Sequence, residues 1–214
     1  MKILVISVIL VVVLVIGYFI VEKYSLPNGL SNKPASVSSS VLGSLKLPDT
    51  CPDSSNWSVY TTVGEEFSFK FPSSWVFKKG SNNANVIDII LYEKEATPDL
   101  DKPGNIHIIR GSNKSSASQT ISKFYESSSK AIGDGISVAE LVDVNGRKSL
   151  HRVEEPDKEI YPDNPENYFV DTLIPSSTDE YVVIVGGLAP KSKAQLNEFS
   201  RAYLGVLCTI QFSK

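Results

Sequence analysis

Ile3 to Val21 is an unbroken apolar block in which Ile, Leu, Val and Phe are relieved only by Ser7, Gly17 and Tyr18, and no charge interrupts it. As a helix rising ~1.5 Å per residue it would be ~28 Å long, close to the ~30 Å hydrocarbon core of a bilayer. A core helix of a soluble domain would not carry Val and Ile on every face. The block therefore predicts one membrane-spanning helix. It constrains the rest of the chain, because the two residues before it cannot hold a folded domain.

Met1 and Lys2 put two positive groups at the short end, whereas Glu22 and Lys23 cancel at the other. The positive-inside bias then leaves the N-terminus in the cytoplasm and everything after the span outside it. A cleaved secretory signal has an apolar core of ~7 to 15 residues and ends in a small-x-small site. This run is longer and closes as Gly17-Tyr18-Phe19-Ile20-Val21-Glu22, without such a site. Residues 1–23 are thus expected to form an uncleaved signal anchor, a single-pass attachment to the cell membrane.

Residues 24–50 are rich in Ser, Pro, Gly and Asn and follow neither the helical nor the strand period. They read as a flexible tether. From Cys51 to Lys214, leaving aside the four basic and two acidic residues that precede it, 17 Lys and Arg face 22 Asp and Glu, a net charge of -5. That is one domain's worth of chain. Its acidity argues against nucleic acid and against anionic lipid surfaces, both of which need a basic patch. Two Cys, two His and one Met leave little material for a four-ligand zinc site or a haem pocket, and no cofactor is implied.

β-branched and aromatic residues between turn formers predict strands over Trp57–Thr61, Glu66–Phe71, Trp75–Lys78, Val86–Tyr92, Ile106–Arg110, Val138–Val144, Arg147–Val153, Tyr168–Ile174 and Tyr181–Gly186. Asn145-Gly146 is a two-residue hairpin turn, and its register sets Val144 against Arg147, Val142 against Ser149 and Glu140 against His151. A helical stripe of Ala117, Ile121, Phe124, Tyr125, Ala131 and Ile132 predicts a helix closed by Gly133. A capping box at Ser192-Lys193-Ala194-Gln195 starts a second helix through Leu196, Phe199 and Tyr203, followed by a last strand, Leu207–Phe212. Antiparallel strands interrupted by two separated helices make an α+β domain, with a sheet flanked by helices.

No nucleophile elbow, P-loop, H-E-x-x-H pair, dinucleotide fingerprint or EF-hand loop occurs in the sequence. His107, between Ile106 and Ile108, reads as a solvent-facing or hydrogen-bonded strand residue. Glu140 with His151 is half of a general-base pair, to which no nucleophile can be assigned. The acidic stretch Glu154 to Glu166 reads as a solvated, proline-stiffened connection, with weak calcium binding as the alternative. Asp99 and Asp101 read the same way.

Cys51 opens the folded unit and Cys208 closes it, and outside the cytoplasm two such thiols become a disulfide, the alternative being two reduced buried cysteines. The run Phe67-Ser68-Phe69-Lys70-Phe71-Pro72-Ser73-Ser74-Trp75 resembles the opening strand of PsbP-like domains. Phe199 to Leu204, Leu207 and Thr209 to Phe212 are similar to their closing helix and strand. The motif is structural: alternating Phe67, Phe69 and Phe71 enter a core and Pro72 with Trp75 locks the corner. The resemblance implies an α/β/α sandwich serving as a non-catalytic extracytoplasmic binding or assembly module. Members of the photosynthetic branch bind a membrane complex and influence its calcium and chloride, but they are soluble extrinsic subunits, and the anchor here departs from them. The expectation is a membrane-tethered, extracytoplasmic binding domain with a protein or small-ligand partner. The alternative is an extracytoplasmic hydrolase or metal-dependent enzyme using Glu140, His151 and nearby carboxylates.

Overall fold

The computed structural model describes residues 38–47, 50–62, 66–79, 88–96, 104–112, 116–132, 135–156, 167–188 and 192–213. The apolar block 3–21, the tether as far as residue 37, Asp99, Asp101 and the acidic stretch from 157 to 166 lie outside the described residues. Among the described residues no helix is long and apolar enough to cross a membrane.

In chain order the described elements are α1 (Ser38–Leu45), β1 (Ser58–Thr61), β2 (Phe67–Phe71), β3 (Trp75–Lys79), β4 (Asp88–Glu93), β5 (Ile106–Ser112), α2 (Ala117–Lys130), β6 (Ile136–Val144), β7 (Arg147–Glu154), β8 (Tyr168–Pro175), β9 (Glu180–Leu188), α3 (Lys193–Thr209) and β10 (Gln211–Phe212). They build an antiparallel α+β fold of two sheets, ordered β1-β2-β10 and β3-β4-β5-β9-β8-β7-β6. The chain passes from the small sheet to the large one through Pro72, whose carbonyl accepts from the Trp75 amide at 2.9 Å. Phe67, Phe69 and Phe71 are 2%, 1% and 5% exposed, and Trp75 2%, so the aromatic strand and its corner face the core as their alternation requires.

Helices cover both faces of the large sheet. On one face Ile106, Ile108, Val153, Val170, Val182 and Ile184 pack with Phe199, Tyr203 and Leu207 of α3 and with Val41 and Leu45 of α1. On the other, Leu150 and Leu173 pack with Ile121 of α2. Two glycines permit the approach of α3 to its neighbours. A Cβ at Gly186 would run into the Phe199 ring, and one at Gly205 would overlap the Trp57 ring.

Three elements differ from the sequence expectation. Residues 38–47, assigned to the tether 24–50, belong to the folded unit: α1 buries Val41 and fully buries Leu45. The cause is tertiary, since the part of the core face that α3 leaves bare needs a cover. The expected strand Leu207–Phe212 is mostly helix, because α3 continues burying Val206 and Leu207 before the chain extends at Ile210 and leaves only Gln211–Phe212 to pair with β2. Helix α2 ends at Lys130, with Phe124 and Ile132 exposed at 41% and 54%, and its close contacts are small residues, Ala117, Thr120 and Ser128, around Ile121. Gly133 lies outside the described residues.

The hairpin register matches expectation throughout, with positive φ at Asn145 (51°) and Gly146 (80°). The Asn145 amide donates to the carbonyls of Ile210 and Cys208, which pins the hairpin tip to the end of α3. There Cys208 is bridged to Cys51, with the Cα atoms 5.8 Å apart. The bridge joins residues 157 positions apart in sequence, and closing so long a loop restricts the unfolded chain by about 5 kcal/mol in the chain-entropy account.

Leu45→Ala is expected to cost ~2–5 kcal/mol, as for other fully buried leucines. The loss should appear as a lower denaturant midpoint at unchanged m. An unchanged midpoint would return residues 38–47 to the tether.

Candidate functional site

The pairing of β6 with β7 sets Glu140 directly opposite His151, as the hairpin register dictates. The surroundings change what the pair can do. His151 has no exposed surface. Its Nδ1 lies 2.9 Å from the Thr172 hydroxyl on β8, and its Nε2 3.1 Å from the carbonyl of Leu45 at the end of α1. Since a carbonyl only accepts, Nε2 carries the hydrogen and Nδ1 accepts from Thr172. The Tyr203 hydroxyl lies 2.9 Å from Thr172 Oγ1 and 3.0 Å from the Ile184 carbonyl, and because the one hydrogen of Thr172 goes to His151, the Tyr203 hydrogen is shared between these two acceptors.

This chain of hydrogen bonds runs α1–β7–β8–α3–β9, all of it buried. Burial lowers the pKa of His151 below its ordinary 6.5, against the opposing pull of the Asp171 and Glu140 charges and the bond to Leu45. Burial likewise pushes the Tyr203 hydroxyl well above its ordinary 10.0. A general base must reach the proton it removes. Here both ring nitrogens are committed to the core. His107 is also buried, at 4% exposure, with Nδ1 3.9 Å from an Asp88 oxygen, which excludes the solvent-facing one of the two readings the sequence offered for it.

A cleft of about 290 Å³ opens at one end of the domain, lined by Glu66, Phe67, Arg110, Glu180, Val182 and Phe212 together with Ser176, Ser177 and Ser213. Its position follows from the topology. Strand β5 ends here, β9 begins here after a turn closed by Ser176 N to Glu180 O (2.9 Å), and the Ser213 amide extends the small sheet to the Glu66 carbonyl at 3.0 Å. Arg110 of β5 spans the gap. Its Nη1 donates to both Glu66 oxygens at 2.7 Å and its Nη2 donates to Glu180. Glu66 and Glu180 are 43% and 34% exposed, so solvent screens the pairs and each contributes at most about 1 kcal/mol. Their effect is positional: they hold the mouth of the cleft and join the two sheets.

Beside it, the Arg147 guanidinium lies 4.3 Å from the centre of the Phe212 ring, and its Nη1 donates to the Pro175 and Ser176 carbonyls. Among the described residues no group of three or more His, Cys, Asp or Glu side chains is placed to hold a metal ion. The sequence reading missed the Glu66–Arg110–Glu180 triad. Its members come from three distant segments, and alternation in β5 and β9 signals only that Arg110 and Glu180 share a face.

No family model matches the chain, and no curated protein matches it. Solved structures do. One from Bacteroides thetaiotaomicron has a TM-score of 0.46 and 14% identity over 73% of this chain, and the chain spans 48% of that protein. The cyanobacterial PsbP of Synechocystis has a TM-score of 0.46 and 12% identity, over 73% of this chain and 92% of its own. The Ran-binding protein Mog1p of Saccharomyces cerevisiae has 0.44 and 14%, over 73% and 95%. A PsbP thus stands among the structures that the chain is similar to, as its aromatic motif led one to expect. None of these likenesses carries an inference about what the chain binds.

Because folded His151 is neutral where the unfolded chain already takes up a proton, its contribution to stability is complete above pH 6.5 and declines as the pH falls below it. The decline is at most about 1.4 kcal/mol per pH unit. His151→Gln removes this slope. Urea midpoints of both chains at pH 7 and pH 5 give the comparison, and identical pH dependence would show that His151 is not held neutral.

Proposed function

We propose that this chain is a single-pass membrane protein, anchored by Ile3 to Val21, whose folded domain stands outside the cytoplasm and binds a protein or small-ligand partner without catalysing a reaction. The observation that carries the non-catalytic reading is the position of His151. The imidazole on which an enzyme using Glu140 and His151 would depend gives both nitrogens to Thr172 and Leu45 and has no exposed surface. A group so placed meets no substrate.

The binding surface we assign is the cleft between the two sheets, where charged, hydroxyl and aromatic side chains converge around Arg110. The Cys51–Cys208 bridge supports the extracytoplasmic placement, because disulfides persist in oxidising compartments. The membrane attachment is supported by the length and composition of the apolar block. The acidic balance of the domain supports a partner other than nucleic acid.

Protease added to intact cells or wall-stripped spheroplasts should digest the domain, and the full chain should resist extraction by alkaline carbonate. Survival of the domain under external protease would overturn its placement, and release by carbonate would overturn the anchor. Cross-linking in the native envelope should join a partner to the wild-type chain and not to a Glu180→Arg variant of unchanged melting temperature. A partner retained equally by both would move the binding surface elsewhere.

A further inference from the structure

The lining of the cleft is unbalanced in charge: two carboxylates, Glu66 and Glu180, face one guanidinium, Arg110. Arg110 already donates to Glu66 through Nη1 and to Glu180 through Nη2, so it is poorly placed to capture an anion. One negative charge in the lining stays uncompensated. Arg147 borders Phe212 and Ser176 without lining the cleft, and its Nη1 is turned to two backbone carbonyls.

Carboxylate oxygens accept more than one hydrogen bond, so Glu66 and Glu180 keep accepting capacity beyond what Arg110 takes. Ser177 and Ser213 are polar residues of the wall, and Phe67, Val182 and Phe212 contribute apolar surface. The Phe212 ring already carries one cation on a face, that of Arg147. Acid excess, polar residues and an aromatic wall together suit a cation on an aliphatic stem, its head bonded by carboxylates and its methylenes laid on the rings.

We infer that the cleft binds a primary alkylammonium group, presented by a lysine side chain of the partner or by a free amine. This rests on the reading of the domain as a binding module whose surface is this cleft. Arg110 acts in it as a built-in competitor: it keeps the two carboxylates together and yields part of their hydrogen bonding to the incoming ammonium.

The test is a saturation-transfer NMR titration of the full chain in detergent micelles with N-acetyl-lysine-N-methylamide, its norleucine counterpart and butylammonium chloride. The lysine probe should bind, the norleucine probe at least tenfold more weakly, and binding should weaken as salt rises. Glu180→Gln and Glu66→Gln should each lower affinity about tenfold at unchanged melting temperature, whereas Arg110→Gln should raise it. Equal affinity for butylammonium and the lysine probe would make head and stem sufficient, as for a free amine. Tighter binding of the lysine probe would point to a polypeptide source. Equal binding of lysine and norleucine probes, or wild-type affinity in both Gln variants, would overturn the inference. Should no amine bind while Glu180→Arg still loses the cross-linked partner, the ligand class fails and the binding reading stands. Loss of neither would sink both.

Discussion

Tyr203 is the point on which the core side of the large sheet is organised. Its ring is fully buried in the cluster that joins α3 to β9, and its hydroxyl must therefore find partners inside the protein. It finds the Ile184 carbonyl and Thr172, and through Thr172 the requirement passes to His151 and on to the last carbonyl of α1. One buried hydroxyl thus fixes the register of a helix against two strands. It also explains why α1 packs where it does, since its C-terminal carbonyl supplies the acceptor that closes the chain of bonds. Unmet, any link would leave a polar atom stranded in an apolar interior, at a cost of about 1–3 kcal/mol.

What was legible in the sequence was what local periodicity decides. Alternation placed Phe67, Phe69 and Phe71 on one face, the Asn145-Gly146 turn gave the β6–β7 register, and Ser192 caps α3 by accepting from the Gln195 amide at 3.2 Å. What was hidden depends on contacts between distant segments. Helix α1 has a serine-rich sequence with weak apolar signal, and only the uncovered core face beside β7 explains its burial of Val41 and Leu45. The end of α3 carries Val206, Thr209 and Ile210, whose β-branching suggests a strand, yet Thr209 bonds back to the Gly205 carbonyl at 2.7 Å and the helix persists. The register also foresaw Glu140 beside His151, but not that Leu45, over a hundred residues earlier in the chain, would take the imidazole's other nitrogen.

The His151 chain and the Arg110 triad divide between stability and surface chemistry. The His151 chain is fully enclosed and its members satisfy one another, so it specifies the fold and offers nothing outward. The Arg110 triad is the reverse case: half-exposed, screened by solvent and energetically modest, it stands at the seam where the small sheet meets the large one. Groups that add little to stability are the ones free to exchange partners. A seam between sheets also supplies side chains from strands that need not be neighbours in sequence, which is how Glu66, Arg110 and Glu180 converge.

The bridge between Cys51 and Cys208 turns nearly the whole domain into a covalent ring, outside which lie only what precedes residue 51 and the few residues after 208. A single proteolytic nick anywhere inside that ring opens it without releasing a fragment, because both new ends remain joined through sulfur. A single cut on the N-terminal side of Cys51, by contrast, leaves the ring itself covalently whole. While the bond stays oxidised, clipping of the internal loops therefore leaves both halves held together.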